Sequence, residues 1–166
     1  MRSIKVKELT MENFAAYGSF YDVGKPSGLG GGIPGMTFYP DRVFVELGDA
    51  HAAALSVTKV NKALPKVILA LEQHKHTGEG MLSMDGDMVL YVAPAGLGYP
   101  QNLEHVEAFV IPKNVAVAIR PGVWHCMPFV VDTEEINVLN ILPERTYAND
   151  TDMNVLKEEE RIAIEL

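Results

Sequence analysis

Val67-Ile68-Leu69-Ala70-Leu71-Glu72-Gln73-His74-Lys75-His76-Thr77-Gly78-Glu79-Gly80 is the stretch on which the reading of this chain turns. Its apolar half reads as a strand, and a period of two places Ile68, Ala70, Glu72, His74 and His76 on one face, with Val67, Leu69, Leu71 and Gln73 on the other. One carboxylate and two imidazoles then leave the same side of a strand. Glu79 follows after Thr77-Gly78, where strict alternation turns it away, so its participation requires Gly78 to bulge the strand. Glu72, already on the histidine face, is the competing carboxylate.

A second polar cluster, Arg120-Pro121-Gly122-Val123-Trp124-His125, uses a tight turn to deliver a third histidine. Two or three imidazoles with one carboxylate and open positions suit a divalent metal (Zn, Ni, Mn or Fe), and the ligand types alone do not choose among them. The competing reading is a solvated His-x-His pair at a strand end, and the downstream Pro-Gly-x-x-His in an all-β pattern favours a site. Trp124 is either core or the wall of a pocket beside His125. Lys59 and Arg120 are surface charges unless the barrel mouth is where they point, in which case they suit the carboxylate of an anionic substrate. Cys126, adjacent to His125 on a strand, faces the opposite side and is expected to be buried and inert. His51 and His105 have no partners in sequence and are expected to be exposed.

Outward from these clusters the chain is dense in strand signals. Ile4 to Lys7, Val43 to Leu47, Ala52 to Val60, Val67 to His76, Met88 to Ala93, Glu107 to Ile111, Val115 to Ile119 and Ile136 to Leu142 alternate or are β-branched-rich, separated by Gly, Pro, Asn and Asp. Thr10-Met11-Glu12-Asn13 reads as an N-cap with one helical turn running to Tyr17-Gly18. Such spacing, with almost no helix between, predicts a mainly β fold, an antiparallel sandwich or barrel. Gly30, Gly32 and Gly35 match G-x-G-x-x-G only formally, because Pro34 sits inside and neither strand nor amphipathic helix flanks it. Residues 24–35 are instead expected to be a Gly/Pro-rich loop, a lid or an arm crossing to another subunit. The tail, residues 151–166, opens like a short helix and ends in alternation. No repeat or linker divides residues 1–166, which read as a single domain.

With 166 residues the chain is long enough to bury a core without staples. Its 14 basic against 22 acidic residues give a net charge of −8, which repels phosphate backbones and anionic membrane surfaces, so neither nucleic acid nor membrane is an expected partner. The single cysteine makes no internal disulfide. The opening Met-Arg-Ser-Ile-Lys-Val-Lys-Glu lacks the apolar run of a signal peptide, and the expectation is a cytoplasmic protein.

His74-x-His76-x-x-Glu79-x6-Gly86 and Pro121-Gly122-x-x-His125 resemble the two cupin motifs, although the asparagine expected four residues after the last histidine is Phe129 here. Within the cupins the chain is most similar to ureidoglycolate lyases. Phe14-Ala15-Ala16-Tyr17-Gly18, Leu55-Ser56-Val57 with Lys59, Leu71-Glu72-Gln73-His74 with Thr77 and Glu79, Val123-Trp124-His125 with Pro128, and Asp150-Thr151-Asp152 carry the likeness. The family's Asn-x-Gly, Arg and His-Asp series is absent from Gly30 to Tyr39.

The resemblance implies a double-stranded β-helix (cupin, jelly-roll-like) barrel with one or two short helices, paired as a homodimer. It also implies a metal on His74, His76, Glu79 and His125, and a lyase that cleaves a carbinolamide acid to glyoxylate and urea. Glu72 or Glu79 would move the proton, and Lys59, Arg120 and Trp124 would bind the small anionic metabolite. Two alternatives stay open: another metal-dependent cupin enzyme, an isomerase or dioxygenase on a small polar acid, and a non-catalytic ligand-binding cupin.

Overall fold

The first turns of the chain already tie the interior together. β1 (Arg2–Glu8) leads to Thr10, whose hydroxyl accepts the Asn13 amide at 3.2 Å while the Asn13 side chain accepts the Thr10 amide at 2.9 Å. This reciprocal cap sets α1 (Met11–Phe14) and delivers Phe14, fully buried, into the core. β2 (Gly18–Asp22) follows, then a small hairpin of β3 (Gly31–Ile33) and β4 (Met36–Phe38), all of whose strand residues are exposed. The remaining strands are β5 (Ala53–Asn61), β6 (Val67–Ile68), β7 (Ala70–Gln73), β8 (Glu79–Ser83), β9 (Met88–Ala93), β10 (Glu107–Ile111) and β11 (Val115–Ile119). β12 (Trp124–His125), β13 (Phe129–Val130), β14 (Glu135–Pro143), α2 (Thr146–Asn149), β15 (Asp152–Val155) and β16 (Ile162–Glu165) complete the chain. This is a computed structural model, and it describes every residue from Met1 to Leu166. No helix is long and apolar enough to cross a membrane.

Apart from the β3-β4 hairpin, the strands form two curled sheets. One runs β2-β11-β8-β14-β5 and is antiparallel throughout. The other runs β15-β7-β12-β9-β10-β1-β16-β6, with β13 also on β9, and β1 joins β10 and β16 in parallel. β9 is buried on both faces, as its unbroken apolar run Met-Val-Leu-Tyr-Val-Ala implies. Met88, Leu90 and Val92 face the space between the sheets with Phe14, Phe109, Val117, Ile119, Ile136 and Val138. Val89, Tyr91 and Ala93 face a second core with Leu71, Trp124 and Ile162 on the far side. The inner core centres on Phe14 and Phe109, whose rings meet edge to face at 5.5 Å. Truncating such a fully buried Phe109 to Ala costs about 3–5 kcal/mol.

Three expectations are corrected. Val43 to Leu47 joins no sheet: it crosses the outside of β8, where the Glu46 carbonyl accepts the Gly78 amide at 2.6 Å. The strand expected over Val67 to His76 breaks at Leu69 and stops at Gln73. The tail opens not as a helix but as β15, which pairs with β7, and its alternating end is β16.

Candidate functional site

The polar end of the barrel interior is built where β7, β8, β12 and β14 meet. Beyond Gln73 the chain is bent by Asp150, whose carboxylate accepts the amides of Lys75 and His76 and the Thr77 hydroxyl, each at 2.9 Å. His74 is thereby kept on the inner side, 4% exposed, while Lys75 and His76 turn out to solvent. The Asp150 carboxyl is held below its usual range: burial opposes the charge, and the amide and hydroxyl donors outweigh it. At Gly78 any Cβ would stand 2.6 Å from the Ile119 carbonyl, so only glycine lets β8 begin beside β11. Glu79 opens β8 opposite Ile119 and points inward, 4% exposed. Pro121-Gly122 then makes the tight turn, with Gly122 at φ +78° and its amide on the His74 carbonyl at 2.6 Å. His125 lands on β12 opposite both Glu72 and Val92, facing the interior at 1% exposure.

Three side chains converge. His125 Nε2 lies 2.9 Å and His74 Nε2 3.3 Å from Glu79 Oε2, and the three ligand atoms lie within 4.8 Å of one another. The other ring nitrogens are occupied: His74 Nδ1 donates to the Asp150 carbonyl and His125 Nδ1 to the Val123 carbonyl, both at 2.8 Å. Both Nε2 atoms thus face the same Glu79 oxygen, so protons or a cation must lie between them. Two imidazoles oriented through their Nδ1 atoms and one carboxylate fit a divalent metal.

Burial would raise the Glu79 carboxyl, yet bonds from His125, His74 and Asn140 bring it down to about 2. Burial would lower the His74 imidazole, yet its contact with Glu79 and its bond to Asp150 raise it. Asn140 completes the support: its amide donates to Glu79 Oε1 at 2.7 Å and its carbonyl oxygen accepts the Thr58 hydroxyl at 2.8 Å.

A cavity of about 230 Å³ opens onto this cluster, with Glu72, Ser56, Thr58 and Thr151 among its polar walls and Met81, Met127 and Leu142 among its apolar ones. The structure therefore brings together His74, Glu79, His125 and Glu72. It does not bring His76, which is exposed beyond the bend made by Asp150. Lys59 points outward to an ion pair with Glu135 at 2.9 Å, and Arg120 donates to the Ala15 carbonyl. Trp124 faces the second core, opposite to His125, with its indole donating to the Leu97 carbonyl at 2.6 Å. Cys126 is buried, and desolvation, aided by the charge of Glu72, pushes its thiol up to about 11.

Asn140 and Arg145 of the cavity wall, and Asp150 behind His74, were not expected as site residues. Only Asn140 left a signal, a polar residue in the inward series Ile136, Val138, Asn140, Leu142.

Among curated proteins none matches the sequence. The fold is similar to that of a dTDP sugar isomerase from Desulfovibrio desulfuricans G20, at 12% identity and a TM-score of 0.51, covering 80% of this chain and 83% of that one. A lesser likeness is to Bacillus subtilis oxalate decarboxylase, at 17% identity and a TM-score of 0.44, over 63% of this chain. The chain spans about a quarter, 24%, of the length of that protein. RmlC from Streptococcus suis is also similar, at 16% identity and a TM-score of 0.39, over 54% of this chain and 42% of that one. The first of these likenesses speaks to the fold alone, and the barrel is of the double-stranded β-helix, cupin kind. The model of the family described as ureidoglycolate lyase matches residues 1–165, and this chain belongs to the ureidoglycolate lyase family.

Proposed function

We propose that this protein is a carbon–nitrogen lyase that cleaves ureidoglycolate to glyoxylate and urea, working as a homodimer. The observation that carries this reading is the buried convergence of His74, Glu79 and His125 at the head of a small polar cavity, in a chain matched by the family along nearly its whole length. His74, Glu79 and His125 would hold a divalent cation, whose chemistry is Lewis-acid stabilisation of negative charge on oxygen. Two imidazoles and a carboxylate suit zinc or ferrous iron among the candidates.

The chain's own groups account for the proton. Glu72 stands across from His125 on the neighbouring strand, on the cavity wall. It takes the proton of the substrate's carbinol hydroxyl as the carbonyl forms and the carbon–nitrogen bond breaks, and it returns that proton to the departing urea nitrogen. Glu79 does not serve as the shuttle in this scheme: one of its oxygens faces the two imidazoles and the other accepts the Asn140 amide.

The test is release of urea and glyoxylate by the protein as purified, with elemental analysis of the same sample. Chelator-sensitive turnover is the expected result, and stoichiometric metal without turnover would overturn the substrate. A second reading, another metal-dependent cupin enzyme on a small polar acid, is favoured by one feature: the hairpin at residues 31–38 is fully exposed and adds no polar group to the cavity.

A further inference from the structure

We propose that Arg145 is the carboxylate-binding and specificity-determining residue of the cavity, taking the anionic end of a small α-hydroxy or α-keto acid whose other end reaches His74, Glu79 and His125. Arg145 is the only lysine or arginine lining the cavity. Its guanidinium has no acceptor within the chain, whereas Arg2, Arg42 and Arg120 donate to backbone carbonyls and Lys59 and Lys75 pair with carboxylates. Glu79 offers it no partner, since one oxygen meets the two imidazoles and the other the Asn140 amide. An unpaired guanidinium presents a planar fork of donors matched to a carboxylate, and it supplies what neither Lys59 nor Arg120 can from the outer surface.

The position is also built. Arg145 has φ +60°, in the left-handed region that non-glycine residues rarely occupy. The turn is fixed by the Ala148 and Asn149 amides on the Arg145 carbonyl, at 2.9 and 3.0 Å, and by the Thr146 hydroxyl on the Pro143 carbonyl at 2.8 Å. From there α2 runs directly to Asp150, whose carbonyl holds the His74 ring. One short segment thus positions both the cation and a member of the histidine cluster, and a strained non-glycine residue kept there points to a task for its side chain. The acid group then lies at the rim and the reacting carbon lies toward the cluster.

This inference rests on the cavity being the site of the proposed reaction, and the experiment separates the two. Arg145→Gly is the informative variant, because glycine adopts the left-handed conformation freely and folding is preserved. Arg145→Gln and Arg145→Lys accompany it, with thermal unfolding as the check on folding. Titration calorimetry with glycolate and with neutral glycolamide is run on each protein, alongside ureidoglycolate kinetics. Wild type is expected to prefer glycolate, and Arg145→Gly and Arg145→Gln to weaken glycolate roughly 10- to 100-fold while leaving glycolamide unchanged, the worth of a charge-assisted pair. Lys is expected to restore part of the loss, and KM to rise by a similar factor with kcat nearly constant. Carboxylate binding that depends on Arg145 without ureidoglycolate turnover would keep this assignment and remove the lyase. Turnover with unchanged KM and unchanged glycolate affinity in Arg145→Gly would remove this assignment and keep the lyase. A folded wild type that fails to bind glycolate, or binds it no better than glycolamide, overturns the assignment as well.

Discussion

Asn140 sits at an inward position of β14 where Ile136 and Val138 are apolar, and its two hydrogen bonds link Thr58 to Glu79. Replacing it by Ala leaves a buried carboxylate oxygen and the Thr58 hydroxyl without their partner. Asn140→Ala is expected to lower stability by about 1–3 kcal/mol in urea unfolding. It is also expected to weaken metal retention by about 10- to 100-fold in a competitive chelator titration, because the support behind a ligand orients it. A separate expectation concerns the two histidines of the His-x-His pair. His76→Ala is expected to keep its metal by elemental analysis, while His74→Ala loses it; loss in both would return His76 to the ligand set. The local pattern made this pair look equivalent. What separates them is Asp150, more than seventy positions away in sequence, gathering the amides of Lys75 and His76 and ending the alternation after Gln73. A bend imposed by such a distant carboxylate leaves no trace in residues 67–80. His125 was legible because a Pro-Gly turn is a local signal, whereas Glu79 reaches the site not through a bulge at Gly78 but by opening a separate strand, β8, in the other sheet.

Among the elements, strands that bury one or both faces were readable: β1, β5, β9, β10, β11 and β14 lie where alternation or apolar runs put them. β8 was not, since its sequence Glu-Gly-Met-Leu-Ser spends its first two positions on the site and on close packing under Val45. Val43 to Leu47 has the composition of a strand but covers the outside of β8, so the same apolar residues are used for packing without a ladder. At the junction of α1 and β2, Tyr17 is buried against Phe14 and Phe109. Desolvation first, then the charge of Glu107, pushes its phenol up to about 12. A group whose folded pKa lies above its unfolded value contributes stability that is complete below the unfolded value and lost as pH rises through the folded one. Stability measured by denaturant is therefore expected to fall between about pH 10 and pH 12, from ionisation near the unfolded value. Tyr17→Phe is expected to remove this share of the fall, and an identical alkaline limb in the variant would refute it.

On the scale of the whole molecule, two unpartnered features complement each other. The hairpin at residues 31–38 presents Ile33, Met36 and Phe38 to solvent, and Phe38 is 64% exposed. Two strands this short, packed on nothing, do not hold a fixed conformation in water by themselves. β5 is the nine-residue edge of its sheet, with one side unpaired and Leu55 and Val57 exposed at 71% and 60%. A long apolar edge of that kind is covered in native assemblies rather than left open. The proposed homodimer is expected to lay the hairpin of each subunit over β5 of the other, so that one self-complementary contact would cover both. Residues 24–35, expected to be a Gly/Pro-rich loop, lid or arm, contain the first strand of this hairpin and its Pro34-Gly35 turn. Light scattering on a sizing column is expected to give twice 18.2 kDa for the wild type. Ile33→Ser, Met36→Ser and Phe38→Ser together are expected to give the single-chain mass with the metal content unchanged, since none of the three touches the cavity. A wild type that elutes as one chain would remove the dimer, and a triple variant that stays paired would move the contact from the hairpin to another face.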